Sequence, residues 1–224
     1  MYFKISLRQL TSILNWLFIF FPLSFIAGSL LVNLNFLLII IFGSIFLIRK
    51  KVKISYDFLI LIFFFFCITL IVSSIFNQIN ILKSLLYLRF FIFYFICFNL
   101  IKEKVFNLDK VFYFFAIVVA IICFDLIFQH FLEYNIIGLE IHKFGPTQKG
   151  VATSFFQDEK IAGSFIQNFG FYLAFIIFYK FNKNNFYNII LKSFLLSLVS
   201  ISIFISFQRI PMVIWIFFLT IYGM

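Results

Sequence analysis

Two adjacent carboxylates, Asp158 and Glu159, stand directly before an apolar stretch that begins at Ile161 and predicts a helix. A carboxylate beside a hydroxyl group can remove its proton as a general base or accept its hydrogen bond. Carboxylates in the first turn of a helix also stabilise its positive end, so capping alone is the competing interpretation. With both interpretations open, Asp158 and Glu159 are the candidate catalytic residues.

Three basic side chains form a second candidate group, because each lies in or beside an apolar stretch. Only 12 uncharged residues follow Arg89 before the next charge, which is too few to cross a bilayer, so Arg89 must lie inside its span. Lys83 precedes it by six positions, and Arg209 follows a later apolar stretch. A planar guanidinium group suits a phosphate, so Arg89, Arg209 and Lys83 predict a site for a lipid-linked pyrophosphate.

A further charge, Asp125, also falls inside a predicted span. Arg89 and Asp125 each lie about six residues, or about 9 Å, in from the outer end of their spans. A structural ion pair between them is one interpretation, and an outward cavity that binds an anion is the other. His130 and His142 are too far apart in sequence to be more than a weak metal pattern, and we expect neither a metal nor a cofactor.

The composition indicates that lipid, and not water, surrounds most of this chain. Of its 224 residues 64% are hydrophobic and 12% are charged, about half the charged share of soluble proteins. The net charge of +10 comes from short basic clusters between apolar runs, which suits an anionic membrane surface and not nucleic acid. Cys67, Cys97 and Cys123 all lie within apolar runs, so they predict no disulfide framework.

The apolar runs predict an all-α polytopic integral membrane protein with about seven complete transmembrane helices and a partial eighth. Residues 9–48 carry no charge, and 40 residues of helix would measure about 60 Å against a hydrocarbon core of about 30 Å. This run must therefore fold back once, with a turn expected around Gly28, Ser29, Asn33 and Asn35. The later complete spans are predicted at 58–76, 84–101, 111–131, 161–179 and 189–207.

The basic residues also predict the topology of residues 1–224, which we expect to form a single transmembrane domain. With the N-terminus in the cytoplasm, twelve basic residues lie on the cytoplasmic side and six on the other side. This arrangement makes the protein a multi-pass protein of the cell inner membrane and places the external loop, residues 132–160, in the periplasm. The last 15 residues are too few to span, which predicts either a chain cut within its eighth span or a re-entrant tail.

Several short motifs resemble the O-antigen ligase and O-antigen polymerase family of bacterial inner-membrane proteins. The most specific is residues 154–164, which is similar to that family's pattern of an aromatic residue, Asp-Glu and then Gly-Ser at the start of a span. Residues 21–33 look like its first hairpin, 85–89 like its fourth-span arginine segment, and 206–209 like a short motif that ends in arginine.

This resemblance implies a fold similar to that of the lipid-dependent glycosyltransferases. It also implies transfer of a glycan from undecaprenyl pyrophosphate to an acceptor, either another glycan or lipid A-core, with inversion and without a metal. Gln157 stands where a glycine is common, and Gln208 where an acidic residue is common. Family members are about twice as long, so the resemblance predicts a C-terminally truncated chain that is inactive alone, and it leaves polymerase and ligase undecided.

Two other functions remain open. In a transporter or flippase-like protein, Arg89 and Asp125 would line a translocation path, although the sequence has no convincing repeated halves of the kind that many transporters show. In a membrane scaffold without chemistry, the external loop would tolerate substitution. Charges that converge on an outward cavity favour the enzyme, and charges at mid-depth favour transport.

Overall fold

The computed structural model describes residues 6–78, 81–141, 150–156, 161–180 and 186–222, and helices make up most of this part of the chain. A short 3₁₀ turn covers Ser154–Phe156. The α-helices, numbered α1 to α10 in chain order, are Leu7–Ile19, Phe21–Ile26, Ser29–Lys50, Phe58–Phe76, Ile81–Leu86, Leu88–Lys102, Leu108–Leu132, Ala162–Lys180, Phe186–Ile205 and Arg209–Tyr222.

Five helical segments in the described part of the chain are long and apolar enough to cross a membrane. They are α3, α4, α7, α9 and the stretch Ile81–Lys102 that α5 and α6 form together. A helix needs about 20 apolar residues to cross a hydrocarbon core of about 30 Å. The chain is therefore helical and of the polytopic membrane type, as the apolar runs predict, while the count of seven spans and a partial eighth stays a prediction.

The first predicted span is two helices, and its turn is shorter than expected. Helix α1 ends at Ile19, and α2 carries Pro22 in its first turn, where the missing N–H costs no helical hydrogen bond. The reversal before α3 occurs at Gly28, whose φ of +107° favours glycine. Asn33 and Asn35 lie within α3, so their assignment to the turn was wrong.

The chain divides into two compact units, Met1–Asn107 and Leu108–Met224. In the first unit α3 packs against α1, α2 and α6, and α4 packs against α5 and α6. A Cβ atom on Gly43 would lie 2.5 Å from Ile96 Cγ2, so the glycine lets α3 and α6 approach closely. The buried core around this contact comprises Leu10, Leu14, Phe46, Ile96, Leu100, Val105 and Phe106.

Asparagine side chains satisfy the backbone of the links in the first unit. Asn15 on α1 donates from Nδ2 to the Val105 carbonyl at 2.7 Å and accepts from the Asn107 N–H at 2.8 Å. Asn99 on α6 accepts from the N–H and the hydroxyl of Ser55 at 3.0 and 3.2 Å. These bonds replace the helical partners that irregular segments lack.

In the second unit α7 packs against α8 and α9, and α8 packs against α9 and α10. Trp215 of α10 is buried, and its Nε1–H donates to the Ser200 hydroxyl at 2.9 Å. A Cβ atom on Gly170 of α8 would lie 3.5 Å from Val199 Cγ1, which is an ordinary contact distance. Helices α7, α8 and α9 therefore form the frame that carries the loop between α7 and α8.

We predict that Asn15→Leu lowers the free energy of unfolding by about 1–3 kcal/mol, because it leaves the Val105 carbonyl and the Asn107 N–H without the Asn15 side chain. Chemical denaturation in detergent, followed by circular dichroism, measures this change. Thr11→Val is the matched control, since the Thr11 hydroxyl donates to the Leu7 carbonyl of the same helix. An equal loss in both variants would contradict the prediction.

Candidate functional site

Five buried polar residues gather where the C-terminal part of α7 meets the loop that follows it. Asp125 and Gln129 stand one turn apart on α7, which places them on one face of the helix. Asn135, Thr153 and Ser154 come from the loop, and all five side chains are at most 1% exposed. We call these five residues the anchor cluster.

The Asp125 carboxyl group binds both halves of the loop. Its Oδ2 accepts a hydrogen bond from the Ser154 hydroxyl at 2.5 Å, and its Oδ1 accepts from the Ile136 N–H at 2.9 Å. Buried polar atoms need such partners, because an unpaired one keeps its full desolvation cost. Asp125 therefore fastens residues on either side of 142–149 to the same helix.

Gln129 repeats this bridge one turn further along α7. Its Oε1 accepts from the N–H groups of Thr153 at 2.9 Å and Ser154 at 2.7 Å. Its Nε2 donates towards the carbonyls of Leu139 at 3.3 Å and Glu140 at 3.4 Å. One side-chain amide thus supplies hydrogen bonds to four backbone groups.

Asn135 holds the first half of the loop as a turn. Its Oδ1 accepts from the N–H groups of Ile137 at 3.0 Å and Leu139 at 2.7 Å, and its Nδ2 donates to the Ser154 carbonyl at 3.3 Å. Ser154 has a φ of +54°, a conformation that costs a residue other than glycine about 1–2 kcal/mol. The anchor cluster offsets this cost and fixes Ser154–Phe156, the residues that lead towards Asp158 and Glu159.

A second polar contact joins the start of α8 to the link between α9 and α10. Gln208 Oε1 accepts from the N–H of Ser164 at 2.7 Å and from its hydroxyl at 2.8 Å. A Cβ atom on Gly163 would overlap the Ser206 hydroxyl, so only glycine fits there. We call Gly163, Ser164, Ser206 and Gln208 the junction. Both of its segments are motifs that the sequence singles out, but their contact was not predicted.

Arg209 follows the junction directly and is exposed as the first residue of α10. The N-terminal end of a helix carries a partial positive charge, so a cation there is electrostatically unfavourable while an anion is favoured. An anion that contacted Arg209 would therefore also meet the positive end of α10. This placement agrees with the predicted pyrophosphate role of Arg209, which stays a prediction.

The other predicted cations lie in the first unit. Arg89 is exposed near the start of α6, where its Nη1 donates to Asn33 Oδ1 at 2.9 Å and its guanidinium carbon lies 4.8 Å from the centre of the Phe90 ring. Lys83 is exposed on α5. An ion pair between Arg89 and Asp125 would link the two units and stays a prediction.

Some predicted residues fall outside the part of the chain that the structure describes. Asp158, Glu159 and His142 are among them, so their roles remain sequence-based predictions. His130 is exposed near the end of α7, with its ring 5.5 Å from that of Phe131. Sequence reasoning missed Gln129, although a glutamine four positions after Asp125 in an apolar span is a signal for a shared polar face.

Comparison of the chain with protein-family models, with curated proteins and with solved structures found no match. The features of the chain that bear on its function are therefore the anchor cluster, the junction and the charged residues beside them.

We predict that Asp125→Ala loosens the loop, because it leaves the Ile136 N–H and the Ser154 hydroxyl without the acceptor shown here. Hydrogen exchange should then speed up at residues 133–141 and 150–156, and stability should fall by about 2–4 kcal/mol. Glu140→Gln is the control, since it changes an exposed carboxyl group of the same loop. Unchanged exchange in Asp125→Ala would show that the cluster does not hold the loop.

We also predict opposite effects for two glycines of α8. Gly163→Ala should destabilise the protein by about 1–3 kcal/mol through overpacking against Ser206. Gly170→Ala should be neutral or stabilising, because its Cβ fits at ordinary contact distances and alanine favours a helix interior by about 1 kcal/mol. Thermal unfolding in detergent tests the pair, and similar melting temperatures for both variants would argue against the close contact.

Proposed function

We propose that this chain acts in lipid-linked glycan transfer, as a membrane glycosyltransferase of the O-antigen ligase and polymerase type. The observation that carries the proposal is the junction, because it joins the segment 163–164 to the segment 206–208. These segments belong to two of the motifs that resemble the family: residues 154–164, which contain the candidate base, and residues 206–209, which end in arginine. Their contact in one unit is the arrangement that a shared site requires.

The anchor cluster adds a second support for the proposal. Catalytic groups must be held to within a fraction of an ångström of their working position. Four buried hydrogen bonds to Ser154 and Thr153 fix the chain just before Asp158 and Glu159.

The proposed reaction exchanges one glycosidic bond for another. The hydroxyl oxygen of the acceptor sugar attacks the anomeric carbon of the donor, and the bond from that carbon to the pyrophosphate oxygen breaks. Glu159 or Asp158 takes the proton of the hydroxyl group. Arg209 stabilises the negative charge that develops on the leaving undecaprenyl pyrophosphate. The products are the lengthened glycan, or glycan on lipid A-core, and the free lipid pyrophosphate at the periplasmic face of the inner membrane.

The test is transfer by the whole protein that the gene encodes, in proteoliposomes that contain an undecaprenyl-pyrophosphate-linked glycan and an acceptor glycan. We predict that Arg209→Gln lowers the transfer rate about a hundredfold, and that Glu159→Gln or Asp158→Asn lowers it at least about a hundredfold. Arg209→Lys keeps the charge but loses the planar fork, so it should fall between the wild type and Arg209→Gln.

Glu140→Gln is the matched control, since it removes an exposed carboxyl group from the same loop without touching either motif. Equal rates in all variants would contradict the assigned roles. Wild-type vesicles that move the labelled lipid-linked glycan between leaflets without transfer would instead favour the transporter function. Vesicles with neither activity, together with tolerance of every loop substitution, would favour the scaffold.

A further inference from the structure

An apolar groove that contains one cationic side chain lies on the first unit. It has a volume of about 490 Å³, and its described lining comes from α3 and from Arg89 at the start of α6. Leu30, Leu34, Leu37 and Ile40 line it along α3, at spacings that place them on one face of the helix. Leu30 is 79% exposed and Leu37 is 53% exposed, so the groove opens sideways to the surroundings of the helices.

The polar part of the groove is formed by Arg89 and Asn33, whose side chains hydrogen bond to each other at 2.9 Å. None of the described residues that line the groove is acidic, and Arg89 has no carboxyl partner among the ion pairs of the described residues. A guanidinium group has five N–H donors, and the bond to Asn33 uses one of them. The remaining donors suit a phosphate oxygen.

The groove runs from the cation towards the middle of the predicted span. Asn33 lies four residues, or about 6 Å, past the start of α3, so its bond holds the guanidinium group near the outer end of that span. From Asn33 to Ile40 the groove continues along α3 for seven residues, or about 10 Å. An acyl chain extends inward from its phosphate in the same direction.

We propose that this groove binds an anionic phospholipid of the surrounding membrane. Its phosphate contacts Arg89, and one acyl chain lies along Leu34, Leu37 and Ile40. The cation, the apolar wall and the inward direction of that wall all match such a lipid. The first unit would then carry a bound lipid as part of its surface, independent of the reaction proposed for the second unit.

This assignment differs from the pyrophosphate role that the sequence predicts for Arg89. The described lining of the groove contains a single cation, whereas a pyrophosphate carries a second charged group that this cation does not pair. The glycan-transfer proposal rests on Arg209, Glu159 and Asp158, so either proposal can fail alone.

Native mass spectrometry of the full chain, titrated in detergent with phosphatidylglycerol or phosphatidylcholine, tests the proposal. We expect phosphatidylglycerol to bind more tightly, and Arg89→Gln to weaken its binding about tenfold through loss of a charge-assisted hydrogen bond. Arg8→Gln, which removes an exposed cation from α1 of the same unit, should leave binding unchanged. Undecaprenyl pyrophosphate forms the third arm of the titration.

A second pair of variants tests the apolar wall. Leu34→Trp adds bulk within the groove and should weaken phosphatidylglycerol binding several-fold, while Leu31→Trp places the same side chain on α3 outside it. Equal binding of both phospholipids, or equal effects of Arg89→Gln and Arg8→Gln, would overturn the proposal. Binding of undecaprenyl pyrophosphate that depends on Arg89, without Arg89-dependent phosphatidylglycerol binding, would overturn it in favour of the substrate role.

Discussion

A backbone N–H or C=O group that leaves a helix and is buried must find another partner, and this constraint shapes both units. A buried group left unpaired costs about 1–3 kcal/mol. The chain meets the constraint with side chains set into the helices, chiefly Asn15, Asn99, Asp125 and Gln129. Several irregular segments thus receive their hydrogen bonds from a polar side chain of a helix.

The need of buried polar groups for partners also explains the different contacts that polar residues within the apolar helices make. The sequence offers an ion pair with Arg89 as one interpretation of Asp125, and the structure adds two partners within its own unit, Ile136 and Ser154. Asn33 looks like a turn residue, yet it lies inside α3 and receives a hydrogen bond from Arg89. A buried polar residue in an apolar span signals a partner reliably, but its type does not reveal which partner.

The sequence predicts the features of this fold that depend on neighbouring residues better than the contacts between residues far apart in the chain. The span predicted at 58–76 coincides with α4, and the span predicted at 161–179 differs from α8 by one residue at each end. These bounds are predictable because a helix in lipid requires a continuous run of apolar residues. The bond from Gln208 to Ser164 joins positions 44 apart in the sequence. No periodic pattern in the sequence encodes such a contact. The two motifs could therefore be identified from the sequence, but the contact between them could not.

The anchor cluster also bears on the order in which the protein is assembled. Its longest link, from Asp125 to Ser154, spans 29 positions, and closing a loop of that length costs little more entropy than closing a shorter one. Every partner of Asp125 and Gln129 described above precedes α8 in the chain. The described parts of the loop can therefore take their final shape during synthesis, so that α8 and the helices after it pack against a surface that has already formed.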